Sequence, residues 1–474
     1  MPRTSSWQHL LTTPSYVRPV PRILIFDFDI IHCIHSLLTV QDAARAACVC
    51  RGFLRSWRCY SNLVLNQHTL GLADKTLKEQ EASIIKKVDR ILENHHKNGI
   101  KVETLKLTLT LTLPTYGYIK ASVLDKWLQI TVKSGIKELD LSIPILKEEY
   151  SFPCALLSDE AAASSIQSLR LSGCAFHPTS SIGILRRLTC LQLSLIYDIS
   201  YCWGLTCLRI AWTLQQLKYL SFIQCTGLQS VQIDAPNLCS LHCDRIGILT
   251  EFSVRNSAQL QNVGLSRILL SDARAKLPSI IQNVESLTLH SPHGEKVNIP
   301  IPMLPSKFPH HKNLEIILRR AAMPFPQSRD IFSFVSFLAA APVIEEGASR
   351  SDLVSGDNKE YSRRKLEYRH DNLRHVLITG FHPSKSLVEL TIHILESAAS
   401  LEHLTIDTTY FSNRRLGRCP TLTKNDQCRA MSKTNVAGAR RAVEVAGRCI
   451  ARRVPKHVQF KVLGPCSRCH SVDQ

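Results

Sequence analysis

One pattern constrains the fold of this chain more than any other. From Val102 onward, short apolar segments recur with leucine-like residues spaced L-x-x-L-x-L. They include VETLKLTL from Val102, IKELDLSI from Ile136, IQSLRLSGC from Ile166 and LTCLQL from Leu188. LTCLRI from Leu205, LKYLSFIQC from Leu217, LQSVQI from Leu228 and NLCSLHC from Asn237 continue the series. VESLTL from Val284, LRHVLI from Leu373 and LEHLTI from Leu401 complete it. Alternation within each segment is the period-two signature of a strand with one buried face. A lone strand-and-turn unit cannot bury that face, so such units stack on copies of themselves.

The repetition therefore predicts a leucine-rich-repeat solenoid with one parallel sheet over residues 102–411. The leucines point into the core, and the alternate strand positions line the other, open face. Lys106, Asp140, Arg170, Arg209 and Gln232 hold such alternate positions and are the pattern-based choice for contacts to a target protein. The spacing is irregular. Strand centres at Leu220, Val231 and Leu241 crowd together, which predicts half-length turns there.

Ahead of the repeats, residues 1–21 carry Pro14, Pro19 and Pro21 and no periodicity, the mark of a loose arm. Residues 22–63 read as a compact helical unit. Ile30, Ile31, Ile34, Leu37 and Leu38 share one helical face. Thr39 with Asp42 has the spacing of a capping box. VQDAARAACV is an Ala-rich second helix. RGFLRSWR supplies a third, with Phe53, Leu54 and Trp57 as anchors. Residues 64–101 read as a helical linker. Residues 412–474 read as a basic C-terminal cap, with 13 Lys/Arg from Arg414 to Lys461 against only Asp426 and Glu444. Within it, Val443, Ala446 and Ile450 share a helical face, and VQFKVL follows as a last strand.

The segment DIIHCIHSLLTVQDAARAACVCRGFLRSWRCYSNL, from Asp29 to Leu63, resembles the F-box of plant F-box/leucine-rich-repeat proteins, the large grass set in particular. SFPCALLSD, SGCAFHPTS, DAPNLCSLHC, RHDNLRHVLITGF and the tail PCSRCH resemble pieces of the same family, in the same order. The resemblance implies an α/β chain, a short three-helix F-box followed by the solenoid. It implies the substrate-recognition subunit of a cullin–RING ubiquitin ligase in the cytoplasm or nucleus. Its partners would be a Skp-type adaptor, cullin through that adaptor, and a target protein on the repeats. The adaptor-facing set would be Ile30, Ile34, Leu37, Leu38, Val49, Phe53 and Trp57, some of which form the unit's own core instead. Family members open the F-box with Leu-Pro, where this chain has Phe26 and Asp27. The change implies weaker docking. The segments around Tyr197 and Glu345 also depart from the family.

Other chemistries find less support. ILIFDFD ends in Asp27-x-Asp29, like the first motif of haloacid-dehalogenase-type phosphatases. There the first acid is the nucleophile and the second the acid/base. That motif continues with a Gly-Thr pair, whereas Ile30 and Ile31 follow here, and the chain has no Asp-Asp pair for the metal. Cys466-x-x-Cys469-His470 lacks the second pair that a zinc site uses. Cys48 and Cys50 read as packing residues. His32, His35, His95, His96, His310 and His311 read as solvated or capping. The 17 Cys of the chain, Cys174, Cys190, Cys225 and Cys243 among them, read as small reduced core residues. No catalytic residue, cofactor or metal is expected. A net charge of +19 favours acidic partners, but the basic tail lacks interleaved aromatics, so nucleic acid is not expected either. No signal peptide is recognised and no run of 18 apolar residues exists, so no membrane span is expected. An alternative reading is a repeat protein that no longer engages the ligase.

Overall fold

The computed structural model describes residues 28–38, 40–57, 60–72, 77–109, 119–143, 150–177, 184–194, 206–225, 227–244, 251–266, 283–291, 310–318, 370–409 and 431–466. The expectations for the arm, Phe26 and Asp27, the Thr39 cap, the YDISYCWG segment, residues 345–365 and Cys469-His470 fall outside these ranges.

Three short helices open the described chain: α1 (Phe28–Ser36), α2 (Val40–Ala46) and α3 (Arg51–Trp57). His35 binds them together. Its side chain is fully buried, with one ring nitrogen 2.8 Å from the Ala43 carbonyl and the other 2.8 Å from the Ser56 hydroxyl. A carbonyl only accepts, so Nε2–H donates to Ala43, while Nδ1 pairs with the Ser56 hydroxyl. Phe53 and Tyr60 flank the ring at 5.5 and 5.6 Å. His35 is thus a core hub and not the solvated or capping residue the sequence suggested. Cys48 and Cys50 correct their reading in the opposite sense. Both are exposed, and Cys50 Sγ accepts from the Phe53 amide at the start of α3.

The sheet begins earlier than the repeats advertise. β1 (Asn62–Leu65) pairs in parallel with β2 (Thr104–Thr108), and α4 (Leu77–Lys97) connects them. His95 is buried in α4 with its ring nitrogens 2.8 Å from the Ile91 carbonyl and 2.9 Å from that of Tyr60, again a core role. α5 (Ala121–Lys133), β3 (Glu138–Ser142), α6 (Glu160–Ser165), β4 (Ser168–Ser172) and β5 (Cys190–Ser194) follow. The Trp127 indole of α5 donates to Asp89 of α4 at 2.8 Å. Next come β6 (Cys207–Ile210), β7 (Tyr219–Ile223), β8 (Ser230–Asp234), β9 (Ser240–Asp244), β10 (Glu251–Arg255) and β11 (Asn262–Ser266). The described residues continue with β12 (Ser286–Ser291), β13 (Asn313–Leu318), β14 (His375–Thr379), α7 (Lys385–Ser397), β15 (His403–Asp407), α8 (Lys433–Val445) and β16 (Gln459–Leu463).

Among the described residues, thirteen strands form one sheet in the order β1-β2-β3-β4-β5-β7-β9-β11-β12-β13-β14-β15-β16, and every pairing is parallel. β16 continues the sheet at its edge, beside β15, as the last strand expected from VQFKVL. Two buried columns run through it. One contains Leu105, Leu139, Leu169, Leu191 and Leu220; the other contains Leu107, Leu141, Leu171, Leu193 and Phe222. Cys174, Cys225 and Cys243 are buried as expected, whereas Cys190 is half-buried.

β6, β8 and β10 form a second, three-stranded parallel sheet across the core from the first. This is the physical form of the half-length turns. The chain alternates between sheets, and residues one turn apart, such as Ser240 and Asn262 or Asp234 and Asn256, are 22 apart in sequence. Between β7 and β11 each such turn carries one strand of the smaller sheet. Glu103 and Lys137, one turn apart at 34 residues, leave room for the 13-residue α5. Near the C-terminus, Ala439, Ala442, Val445, Ala446 and Ile450 form the buried stripe of α8 and the wider helical turn after it, while Val443 is half-buried. No described helix is long and apolar enough to cross a membrane.

Two glycines with positive φ make a sharp test of this packing. Gly173 (φ +76) follows β4, and a Cβ there would lie 1.9 Å from the Ile143 carbonyl oxygen. Gly99 (φ +62) ends α4 and has open space where a Cβ would go. Gly99→Ala should cost only the left-handed backbone strain, about 1 kcal/mol. Gly173→Ala must also displace a neighbouring strand end and should cost at least about 3 kcal/mol. Denaturant titration of both variants gives the comparison; equal losses would refute the close packing of β3 against β4.

Candidate functional site

The open face of the large sheet carries one side chain per strand in a central row. The in-phase register sets Lys106 beside Asp140, Asp140 beside Arg170, and Arg170 beside Gln192. Three of the five sequence-chosen positions are therefore neighbours. Lys106 Nζ lies 3.7 Å from Glu138, and Lys137 Nζ lies 2.9 Å from Glu103 beside it. Burial pushes the Asp140 carboxyl above its ordinary value, while Arg170 and Lys106 pull it back. The patch offers both charge signs on a rigid ladder, which suits recognition of a polar protein surface more than adhesion to an apolar one.

Arg209 and Gln232 are elsewhere. They sit on β6 and β8 in the smaller sheet, on its outer side, while Leu208, Ile210, Val231 and Ile233 fill its inner side. Arg209 Nε donates to Gln232 Oε1 at 2.9 Å, and Gln232 Nε2 donates to Glu251 Oε2 at 2.9 Å. They share no face with Lys106, Asp140 and Arg170. The alternation rule sorted each residue correctly within its strand. It could not tell which of two sheets the strand belonged to.

Farther along the central row, Gly264 follows His242. A Cβ on Gly264 would lie 2.1 Å from His242 Nδ1, so the imidazole rests on β11 only because no side chain stands there. The His242 and His290 rings meet edge to face at 4.9 Å, and His290 Nδ1 is 4.0 Å from Asp244 Oδ1. No sequence motif marked this cluster, because its members come from separate repeats.

The helical unit presents a second surface. Ile30, Ile34, Leu37 and Val49 are exposed at 49%, 41%, 82% and 76%, respectively. Leu38, Phe53 and Trp57 are half-buried, with Leu38 and Trp57 packed on the core and Trp57 stacked on Tyr60 at 5.5 Å. The seven residues chosen for adaptor contact thus divide into an exposed apolar set and an inward set.

Among family models, the one described as At1g61320/AtMIF1, LRR domain, matches residues 91–467. The chain belongs to this leucine-rich-repeat family. It is a plant family, and its repeats imply a protein-binding role. Comparison with curated proteins finds no match. The match spans β2 to β16 and begins after the three-helix unit.

This family member also packs histidines beside a small recess lined by His311, His370, Leu287, Leu314 and Leu373. His311 corrects the solvated reading: it is buried, and burial with help from His370 and His310 pushes its pKa down to about 4. Burial, with His393 nearby, likewise pushes His370 down to about 4, against a smaller upward pull from Asp371. Depressed imidazole pKa values mean that the unfolded chain takes up protons first as pH falls. Their contribution is whole above the ordinary value near 6.5 and is lost between about 6.5 and 4. For the better-buried His311, the loss should be on the order of 3 kcal/mol by pH 4. His370→Gln together with His311→Gln should flatten the pH dependence of unfolding free energy in that window. An unchanged slope would refute the assignment.

Proposed function

We propose that the protein is a target-recognition subunit of a cullin–RING ubiquitin ligase. In this reading α1–α3 dock on a Skp-type adaptor, and the open face of the large sheet holds the target protein. The observation that carries it is the exposed apolar set Ile30, Ile34, Leu37 and Val49, gathered on a unit whose own core is already filled by Ile31, His35, Val40 and Ala43. Large side chains left in water on a folded unit mark a surface built to be covered. The resemblance of Asp29–Leu63 to an F-box supplies the identity of the cover.

The mechanism is tethering. The chain would supply affinity at two surfaces and leave the bond chemistry to the ligase. Holding target lysines near a ubiquitin-charged enzyme raises their effective concentration to roughly the millimolar range. Asp29 lies within the first turn of α1, which begins at Phe28. A phosphatase acid of the Asp-x-Asp type stands at a strand end, so this supports the non-enzymatic reading. The second reading, a repeat protein without ligase contact, draws on Phe26 and Asp27 standing where the family has Leu-Pro.

Titration of the full chain against the adaptor tests the proposal. Leu37→Asp and Val49→Asp should each weaken binding about tenfold or more, because a carboxylate would be desolvated in the interface. Both positions are exposed, so the melting temperature should not move. Phe26→Leu with Asp27→Pro should tighten binding by roughly tenfold, about 1.4 kcal/mol. Absence of binding by the unaltered chain would leave the second reading, and equal affinity of the Asp variants would remove α1–α3 from the interface.

A further inference from the structure

Two repeats carry histidine at the same phase, LRHVLI from Leu373 and LEHLTI from Leu401. Parallel in-phase pairing sets His375 of β14 directly beside His403 of β15. Both side chains are exposed. Their ring centroids are 4.8 Å apart with planes 19° from parallel, the spacing of neighbouring strands. Glu402 adds a carboxylate. Its Oε2 lies 3.9 Å from His375 Nε2, and its Oε1 is held 3.1 Å from Arg374 Nη1. One donor atom from each of His375, Glu402 and His403 lies within 4.8 Å of the other two. The backbone beneath is fixed, because the amides of Glu402 and His403 both donate to the Arg374 carbonyl, at 2.8 and 2.9 Å.

We propose that His375, His403 and Glu402 form a binding site for one divalent transition-metal ion of the zinc class. Two imidazoles and one carboxylate suit Zn²⁺, Ni²⁺ or Cu²⁺; Mg²⁺ and Ca²⁺ prefer all-oxygen shells. Ligand bonds of about 2.0–2.1 Å bring tetrahedral donor atoms to roughly 3.3 Å from one another. Small rotations of exposed side chains close the present gaps, turning one nitrogen of each ring inward. Arg374 grips the carboxylate oxygen that the metal would not use, as outer partners of ligating carboxylates do. Binding requires neutral imidazoles and so releases any protons they carry. Three protein ligands leave a position for water or for a side chain of a bound protein. The site lies at the opposite end of the sheet from Lys106, Asp140 and Arg170.

The test uses the full chain freed of metal by EDTA and titrated with ZnCl₂ at pH 7.5. Equilibrium dialysis compares it with His375→Ala, His403→Ala and Glu402→Gln. Each His variant should bind one equivalent fewer at micromolar zinc. Glu402→Gln should weaken that equivalent roughly tenfold. Metal-free melting temperatures should match, since all three side chains are exposed. The chain also holds 17 Cys, so Co²⁺ spectra are read in parallel. The equivalent lost in the His variants should lack the near-ultraviolet charge-transfer band of thiolate ligation. Identical zinc stoichiometry and affinity in the unaltered chain and both His variants would overturn the proposal. So would a lost equivalent that carries the thiolate band.

Discussion

The structure depends on one constraint, the in-phase parallel register of thirteen strands. Each pairing sets leucine-like residue against leucine-like residue, Leu105 to Leu139 to Leu169 to Leu191, and the next column repeats two residues later. A slip of one residue in any strand would turn its apolar side to water and its charged side into the core. Replacing one such buried leucine by alanine typically costs 2–5 kcal/mol, a large fraction of a domain's stability. The same register that buries the leucines also decides which polar groups meet on the other face. Lys106 stands next to Asp140, and His375 next to His403, for the same reason that Leu105 stands next to Leu139.

Successive turns cover the core in different ways. Where one turn spans 34 residues, the return path folds as a helix, as in α5. From β7 to β11, where one turn spans about 22 residues, the return path holds a short strand, and these two strands, β8 and β10, join β6 from the longer turn before them. Arg209 and Gln232 both lie on that second sheet. Their side chains obey the same alternation as Lys106 and Asp140, yet they face outward on the other side of the molecule.

Much of this was legible in the sequence. The strand phase, the parallel sheet and the buried leucines follow from L-x-x-L-x-L, which reports local alternation. The three helices of the N-terminal unit followed from helical spacing and Ala content. What local pattern cannot report is assembly. The first rung, Asn62–Leu65, lies ahead of the recognisable repeats because only pairing with β2 reveals it. His35, His95 and His311 were misread because a polar side chain looks solvated until its distant partners or buried surroundings are known. The metal-ligand trio was invisible as a motif, although the shared phase of His375 and His403 in LRHVLI and LEHLTI was its one available signal.

The 22-residue turns have a consequence for how such a chain can change over generations. A turn of this kind touches its two neighbours and little else, so its removal or duplication as a whole lets the flanking rungs close on each other with their columns aligned. A loss of one or two residues inside a strand has no such remedy, because it breaks the columns on both sides. Heritable variation in this molecule should therefore come in whole turns, lengthening or shortening the binding face in steps while each remaining rung keeps its chemistry.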